Sequence, residues 1–358
     1  MKTVIESAKI YPMNLAFTYH DPEEKFADDF VYFLGLMSDM RAGGKIYVQA
    51  SSAMRGTQVL SLLDSIARRS LEGLILGIAP EGPLGPGRDF ECLATGIKRL
   101  SGPTLIIDAD KGTMVGRYFP EDLDWFVRRT KDAFKDGDVG VVELERSQKA
   151  METYPPSQRL TEPVINGAFG KYAGIEATDV TSGAFAISEE VAKEWRKGTL
   201  SFSPYLHRSN FMPEPPLLAQ YLGKRVIGIP AKYLGAFETQ IMSLDSELRP
   251  KKYTFSQTTE ERPTFPREKE RWLKRLDTTI DWLYALSDYC ITQEKEASQK
   301  EVGDLKRMVW ETLLAKDPQA AFLHALLEEG WIEKLSLQEH PGFGPEFLNH
   351  QIRGVERR

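Results

Sequence analysis

The sequence predicts an α/β protein, a doubly wound and mostly parallel sheet followed by a helical C-terminal region. Three observations carry this. Short apolar, β-branched runs alternate with amphipathic stretches four times before residue 110. Runs such as Thr104-Leu105-Ile106-Ile107 are apolar without alternation, as strands buried on both faces are. After about residue 266 the apolar residues recur only at helical spacing.

Taken in order, residues 14–19 (NLAFTY) read as the first strand, ending at His20-Asp21. Pro22-Glu23-Glu24 starts a helix with acids at the positive end of its dipole, and Gly43-Gly44 stops it. Residues 45–49 (KIYVQ) give a second strand with Ser51-Ser52 at its carboxyl end. A helix over 57–69 carries Val59, Leu60, Leu63 and Ile66 on one face, and 74–78 (LILGI) is the third strand. Gly85-Pro86-Gly87 opens a further helix marked by Phe90, Leu93, Ala94, Ile97 and Leu100, with Cys92 on its apolar side. Ser101-Gly102-Pro103 ends that helix, and the TLII strand delivers Asp108-Ala109-Asp110.

Downstream, a helix is expected over 120–134 and a strand over 138–144 running into Glu145-Arg146-Ser147. Residues 149–180 hold much Gly, Pro, Tyr and Asn with little periodicity and read as a functional loop region. A strand ending at Ile187, a helix through Trp195, a helix after Pro213-Glu214-Pro215-Pro216 and a strand over 225–230 follow. Residues 245–262 are polar, so the chain divides into a first domain over 1–245 and a linker with helical region over 246–358. Trp272, Trp282 and Trp310 lie on the helices of that region, more than a short bundle hides by itself, so it is expected to pack on the first domain.

At 358 residues with a net charge of −6, a general nucleic-acid surface is excluded, and an anionic substrate must meet local cations or a metal. Cys92 and Cys290 are too few for a disulfide framework. No apolar run approaches the roughly 20 residues of a membrane span, and no signal peptide opens the chain, so a cytoplasmic location is the expectation. Homo-oligomerisation is left open by the sequence.

The candidate site gathers where strands leave the sheet, because open α/β sheets bind ligands at those ends. Asp108 and Asp110 project to the same side by strand alternation, and two such carboxylates call for a counter-charge, commonly Mg²⁺ or Mn²⁺ with a substrate diphosphate. Arg88, at the start of its helix, can fork onto phosphate. His20, Asp21 and Ser51 end strands on the same edge.

The run from Gly85-Pro86-Gly87-Arg88 through the helix and TLII strand to Asp108-Ala109-Asp110 resembles the GT-A glycosyltransferases and their DxD motif. The second half is similar too, with a Ser182-Gly183-Ala184-Phe185-Ala186-Ile187 segment, an acidic residue before a short helix ending in Gly, and a V-x-x-I-P-like strand at RVIGIP. The nearest pattern is that of mannosylglycerate synthase and glucosyl-phosphoglycerate synthase-like enzymes, matching residues 14–240 in order of elements. The resemblance implies a GT-A type sheet and a metal-dependent hexosyltransferase, with a UDP- or GDP-sugar donor and a small-molecule or glycan hydroxyl as acceptor. It implies metal ligation by Asp110 with Asp108, a donor cradle at His20, Asp21, Ser51, Gly87, Arg88 and Asp108, and acceptor contacts at Ser182 and Gly183. Glu214 stands where these enzymes carry the acidic residue, with Asp179 as the alternative catalytic carboxylate. The family's G-G-E-like acceptor loop is replaced here by Ser182-Gly183-Ala184, and the histidine expected after the I-P strand is missing, leaving His207 as a substitute ligand. Two other classes compete, a nucleotidyltransferase and a non-catalytic nucleotide- or carbohydrate-binding protein.

Overall fold

A computed structural model describes residues 12–19, 27–40, 44–50, 54–68, 73–78, 93–107, 112, 120–152, 154–198, 202, 212–231, 268–340 and 343–356. Seven strands form one sheet: β1 (Asn14–Tyr19), β2 (Ile46–Ala50), β3 (Leu74–Ile78), β4 (Thr104–Ile107), β5 (Val139–Arg146), β6 (Ala184–Ile187) and β7 (Arg225–Ala231). Their order across the sheet is β3-β2-β1-β4-β6-β5-β7. All neighbours are parallel except β6, which runs against both β4 and β5. The predicted α/β class and mostly parallel sheet are therefore present. Every residue of β2, β4 and β6 is buried, which is why their sequences lack alternation.

Helices cover both faces. On one, α1 (Ala27–Met40), α2 (Gln58–Arg68) and α3 (Pro120–Lys135) pack on Leu15, Phe17, Val48, Leu105, Ile107 and Val142. On the other, Ala16, Tyr47, Ile106, Val141 and Phe185 meet a second helical layer. Asn14 pins the start of the sheet, because its amide donates to Ser101 O at 2.7 Å and its Oδ1 accepts from Lys45 N–H at 2.9 Å.

The second layer corrects the sequence expectation for 149–180. After a short α4 (Gln148–Glu152), that stretch forms α5 (Pro156–Ala168), extended by a π-helical turn over Phe169–Ala173. From Leu160 to Ala168 every residue of α5 is buried. A helix buried all round has no apolar stripe to read, so its periodicity is silent. Next come α6 (Glu189–Lys197), capped by Ser188, and α7 (Glu214–Tyr221).

The C-terminal helices are α8 (Glu268–Thr292), α9 (Glu296–Leu313), α10 (Pro318–Glu328), α11 (Trp331–Lys334) and α12 (Pro345–Glu356). They share one apolar core with α5 and the sheet: Trp282 lies 5.3 Å from Phe169, and Trp272 6.0 Å from Phe322, between ring centroids. Trp272 and Trp282 are buried, whereas Trp310 is 48% exposed. Trp125, on α3, is likewise 44% exposed. The boundary at 245/246 lies outside the described residues.

Gly167 marks how closely α5 meets this helical region, since a Cβ there would stand 2.6 Å from Leu335 O and 3.0 Å from Leu335 Cβ. Backbone cannot yield as a flexible side chain does, so Gly167→Ala is expected to lower stability by about 1–3 kcal/mol. The urea midpoint should fall with an unchanged slope; an unchanged midpoint would show that this contact does not constrain the packing.

Candidate functional site

The strand register assembles one edge of the sheet. β1, β2, β3, β4, β5 and β7 all end there, and antiparallel β6 begins there, with Ala184 opposite Ile107. Residues 108 and 182–183 are thus chain neighbours of a directly paired couple, so the Ser182-Gly183 turn sits where β4 leaves the sheet. Ser182 is fully buried, and its hydroxyl bonds the backbone N–H and C=O of Ala184. Gly183 takes φ +74°, a left-handed conformation that its lack of Cβ permits.

The end of β5 carries a buried ionic network that sequence reasoning did not isolate. Asp179 Oδ2 accepts from the Arg146 backbone N–H at 3.0 Å and from Nε at 2.7 Å. Its Oδ1 accepts from Arg146 Nη2 at 2.6 Å, the Thr181 hydroxyl at 3.0 Å and the Asn166 amide at 3.3 Å. Arg146 Nη2 also reaches Thr181 Oγ1 at 2.8 Å and stands 2.9 Å from Glu162 Oε2, an ion-pair distance without hydrogen-bond geometry. Its guanidinium carbon lies 4.9 Å from the Tyr154 ring centre. Burial pushes the Asp179 carboxyl up, but the Arg146 charge and its hydrogen bonds outweigh this and hold it below the usual carboxylate value. The reverse balance keeps Arg146 charged: burial opposes it, and Asp179 and Glu162 overcome the opposition.

Glu143, three residues earlier on β5, is 1% exposed, and its Oε2 has no hydrogen-bond partner. Burial, then Asp179 and Glu145, push its carboxyl well above the usual range. Glu145 Oε1 accepts the Thr178 N–H at 2.5 Å. His340, from the C-terminal region, joins the same cluster beside Thr178 and Asp179, where burial lowers its imidazole despite the nearby carboxylate. One signal for this cluster was present in the sequence, two glutamates and an arginine ending an otherwise apolar strand, VGVVELER.

Glu214 opens α7 and is 7% exposed, its Oε2 accepting from Trp195 Nε1 at 2.7 Å. Lys98 Nζ lies 5.1 Å above the Trp195 ring. α7 ends where β7 starts, since Lys224 N–H bonds Ala219 O and Arg225 N–H bonds Asp138 O. Its first turn carries Glu214, held against Trp195 of α6.

His20, Asp21, Ser51, Gly87, Arg88, Asp108, Asp110 and His207 lie outside the described residues. Among the described residues no group of His, Cys, Asp and Glu is arranged to hold a metal ion, and no helix is long and apolar enough to cross a membrane.

The network makes a stability prediction. Asp179→Asn leaves a buried guanidinium without its principal counter-charge and should cost about 3–5 kcal/mol. Because the folded carboxyl is depressed, its contribution is present above the unfolded value near 4 and is lost as pH falls below it. Urea unfolding should show the wild-type advantage over Asp179→Asn at pH 7 shrinking on acidification below pH 4. A pH-independent difference would remove the ionic account.

No protein-family model matches the chain, and no curated protein does. The solved structure of S. aureus TarS 1-349 is similar at 14% sequence identity, covering 84% of this chain and 90% of that chain. Its TM-score is 0.36, a likeness too low to carry an argument.

Proposed function

We propose that the chain is a glycosyltransferase moving a sugar from a nucleoside-diphosphate-sugar donor to a hydroxyl acceptor. The observation that supports this reading is the pairing of Ile107 with Ala184: the residue before Asp108 and the residue after Gly183 share one rung of the ladder. The two motifs that the sequence assigns to donor and acceptor thus flank one paired rung in the chain.

In this reading Asp110 and Asp108, with His207, would hold Mg²⁺ or Mn²⁺, which would supply positive charge for the donor's diphosphate. Arg88 and the backbone of the Gly87 turn bind the diphosphate, and His20, Asp21 and Ser51 hold the nucleoside at the ends of β1 and β2. Glu214 takes the acceptor proton or stabilises positive charge at the anomeric carbon, its direction fixed by the Trp195 indole. Asp179 is occupied by Arg146 on both oxygens, so its part is to hold the end of β5 against the Ser182-Gly183 turn.

A thermal-shift panel of UDP-, GDP- and ADP-sugars with and without Mn²⁺ tests the binding. One donor class should stabilise the chain in a metal-dependent way, by about 2.7 kcal/mol at a hundredfold excess over Kd. Asp110→Asn should abolish the metal dependence, and a variant that binds donor and Mn²⁺ like the wild type would remove the site assignment.

The chemical step is tested separately. Glu214→Gln should leave donor stabilisation intact while turnover, including slow hydrolysis of the donor, drops by about 10²-fold or more. Turnover within a few-fold of wild type would take the role away from Glu214.

A further inference from the structure

Between α9 and α10 lies a groove of about 470 Å³ to which no strand and no residue of α1–α7 contributes. Ala320, Ala321 and Ala325 keep the α10 wall low, and Met308 faces them from α9. Glu311, Glu328 and Glu329 stand along it, and no Lys or Arg is among its lining residues. Two of these carboxylates make contacts of their own, Glu328 with His324 at 2.9 Å and Glu329 with the Trp331 indole at 3.2 Å. Elsewhere on these helices Trp310 is 48% exposed and Leu327 43%, and Leu314, just after α9, is 70% exposed. These helices already spend their other faces on the shared core through Leu305, Val309, Phe322 and Leu326.

An alanine-walled valley with Met308 at its side is a surface of the kind that takes a partner's apolar side chains. A valley between two helices accepts the ridge of a third, and its alanines leave room for large side chains from the incoming helix. The three glutamates select its charge. They repel anionic lipid and acidic peptides and favour Lys or Arg beside the apolar ridge. We infer that this groove docks a cationic amphipathic helix of a partner protein, with large apolar residues at i, i+3 or i+4, and i+7. Such docking would tether the chain to its partner without occupying the strand-end edge.

The test uses the full chain and two synthetic helical peptides of about five turns with the same Leu/Trp face. One peptide is flanked by Lys and the other by Glu. Fluorescence anisotropy should show the Lys peptide binding at least about tenfold tighter at low salt, with the preference shrinking as salt screens the exposed carboxylates. Combining Glu311→Lys with Glu328→Lys should invert the preference. Ala325→Trp, which fills the valley, should lose the Lys peptide, and an unchanged melting temperature confirms that this variant folds. Equal binding of the two peptides, or a Lys preference that survives the double charge reversal, would overturn the inference. A concentration-dependent dimer that excludes the Lys peptide would assign the groove to a second copy, and that too overturns it.

Discussion

The grip of Arg146 on Asp179 decides how the second half of the sheet meets its helices. Moving either ion out of water costs several kcal/mol even after relaxation, so the pair persists only where hydrogen bonds saturate it. Asp179 receives them from β5 (Arg146), from α5 (Asn166) and from its own turn (Thr181). Asn166 in turn accepts the Val180 N–H at 3.1 Å, which closes the approach to β6 from the other side. Glu162 extends the network outward to α8, where Arg275 Nη1 lies 3.4 Å from Oε1. A hydrophobic replacement of the same volume could be as stable, but it would not hold three backbone segments in one register.

This arrangement explains why α5 tolerates a sequence that looks unhelical. Pro163 removes an internal hydrogen bond, and Asn166 and Gly167 are poor helix formers. Each is accounted for locally: Asn166 serves the ionic network, and Gly167 admits Leu335 O. Burial against Trp282 and the sheet then supplies what propensity does not. Local preference loses to tertiary packing here because the helix is enclosed on all sides.

The same reasoning separates what the sequence could reveal from what it could not. Strands were legible because each is short, apolar and bounded by Gly, Pro or charge, and LILGI and TLII are strands in the structure as read. Helices with one wet face were legible for the same physical reason, as in α2 with Val59, Leu60 and Leu63 buried. α5 was not, since a periodic signal needs an exposed side. The tryptophan count misled at Trp310, because hydrophobicity states what burial would gain and not whether a partner lies within the chain. Of the candidate residues, Asp179, Ser182, Gly183 and Glu214 lie among the described residues, the first three at one edge and Glu214 against Trp195. The partnership of Arg146 with a residue 33 positions away had no local signature.

Charge balance on that edge bears on how the proposed reaction would be laid out. Around the end of β5, Asp179 and Glu162 face Arg146, whose Nε and Nη2 are already engaged, while burial and its acidic neighbours push the Glu143 carboxyl well up. A diphosphate brought within about 4 Å of one uncompensated carboxylate would meet a repulsion of about 4 kcal/mol per charge pair at an effective dielectric of 20. The donor's phosphates are therefore disfavoured on the β5–β6 half. In the proposed reaction positive charge for them would come from the other half, beyond β1, β2, β3 and β4, to which the sequence assigns His20, Ser51, Arg88 and the Asp108-Asp110 pair. That leaves the Ser182-Gly183 side to a neutral hydroxyl, for which neighbouring carboxylates are hydrogen-bond acceptors instead of a barrier. In the proposed reaction the strand order β3-β2-β1-β4-β6-β5-β7 would thus separate donor from acceptor, with the β4–β6 rung between them.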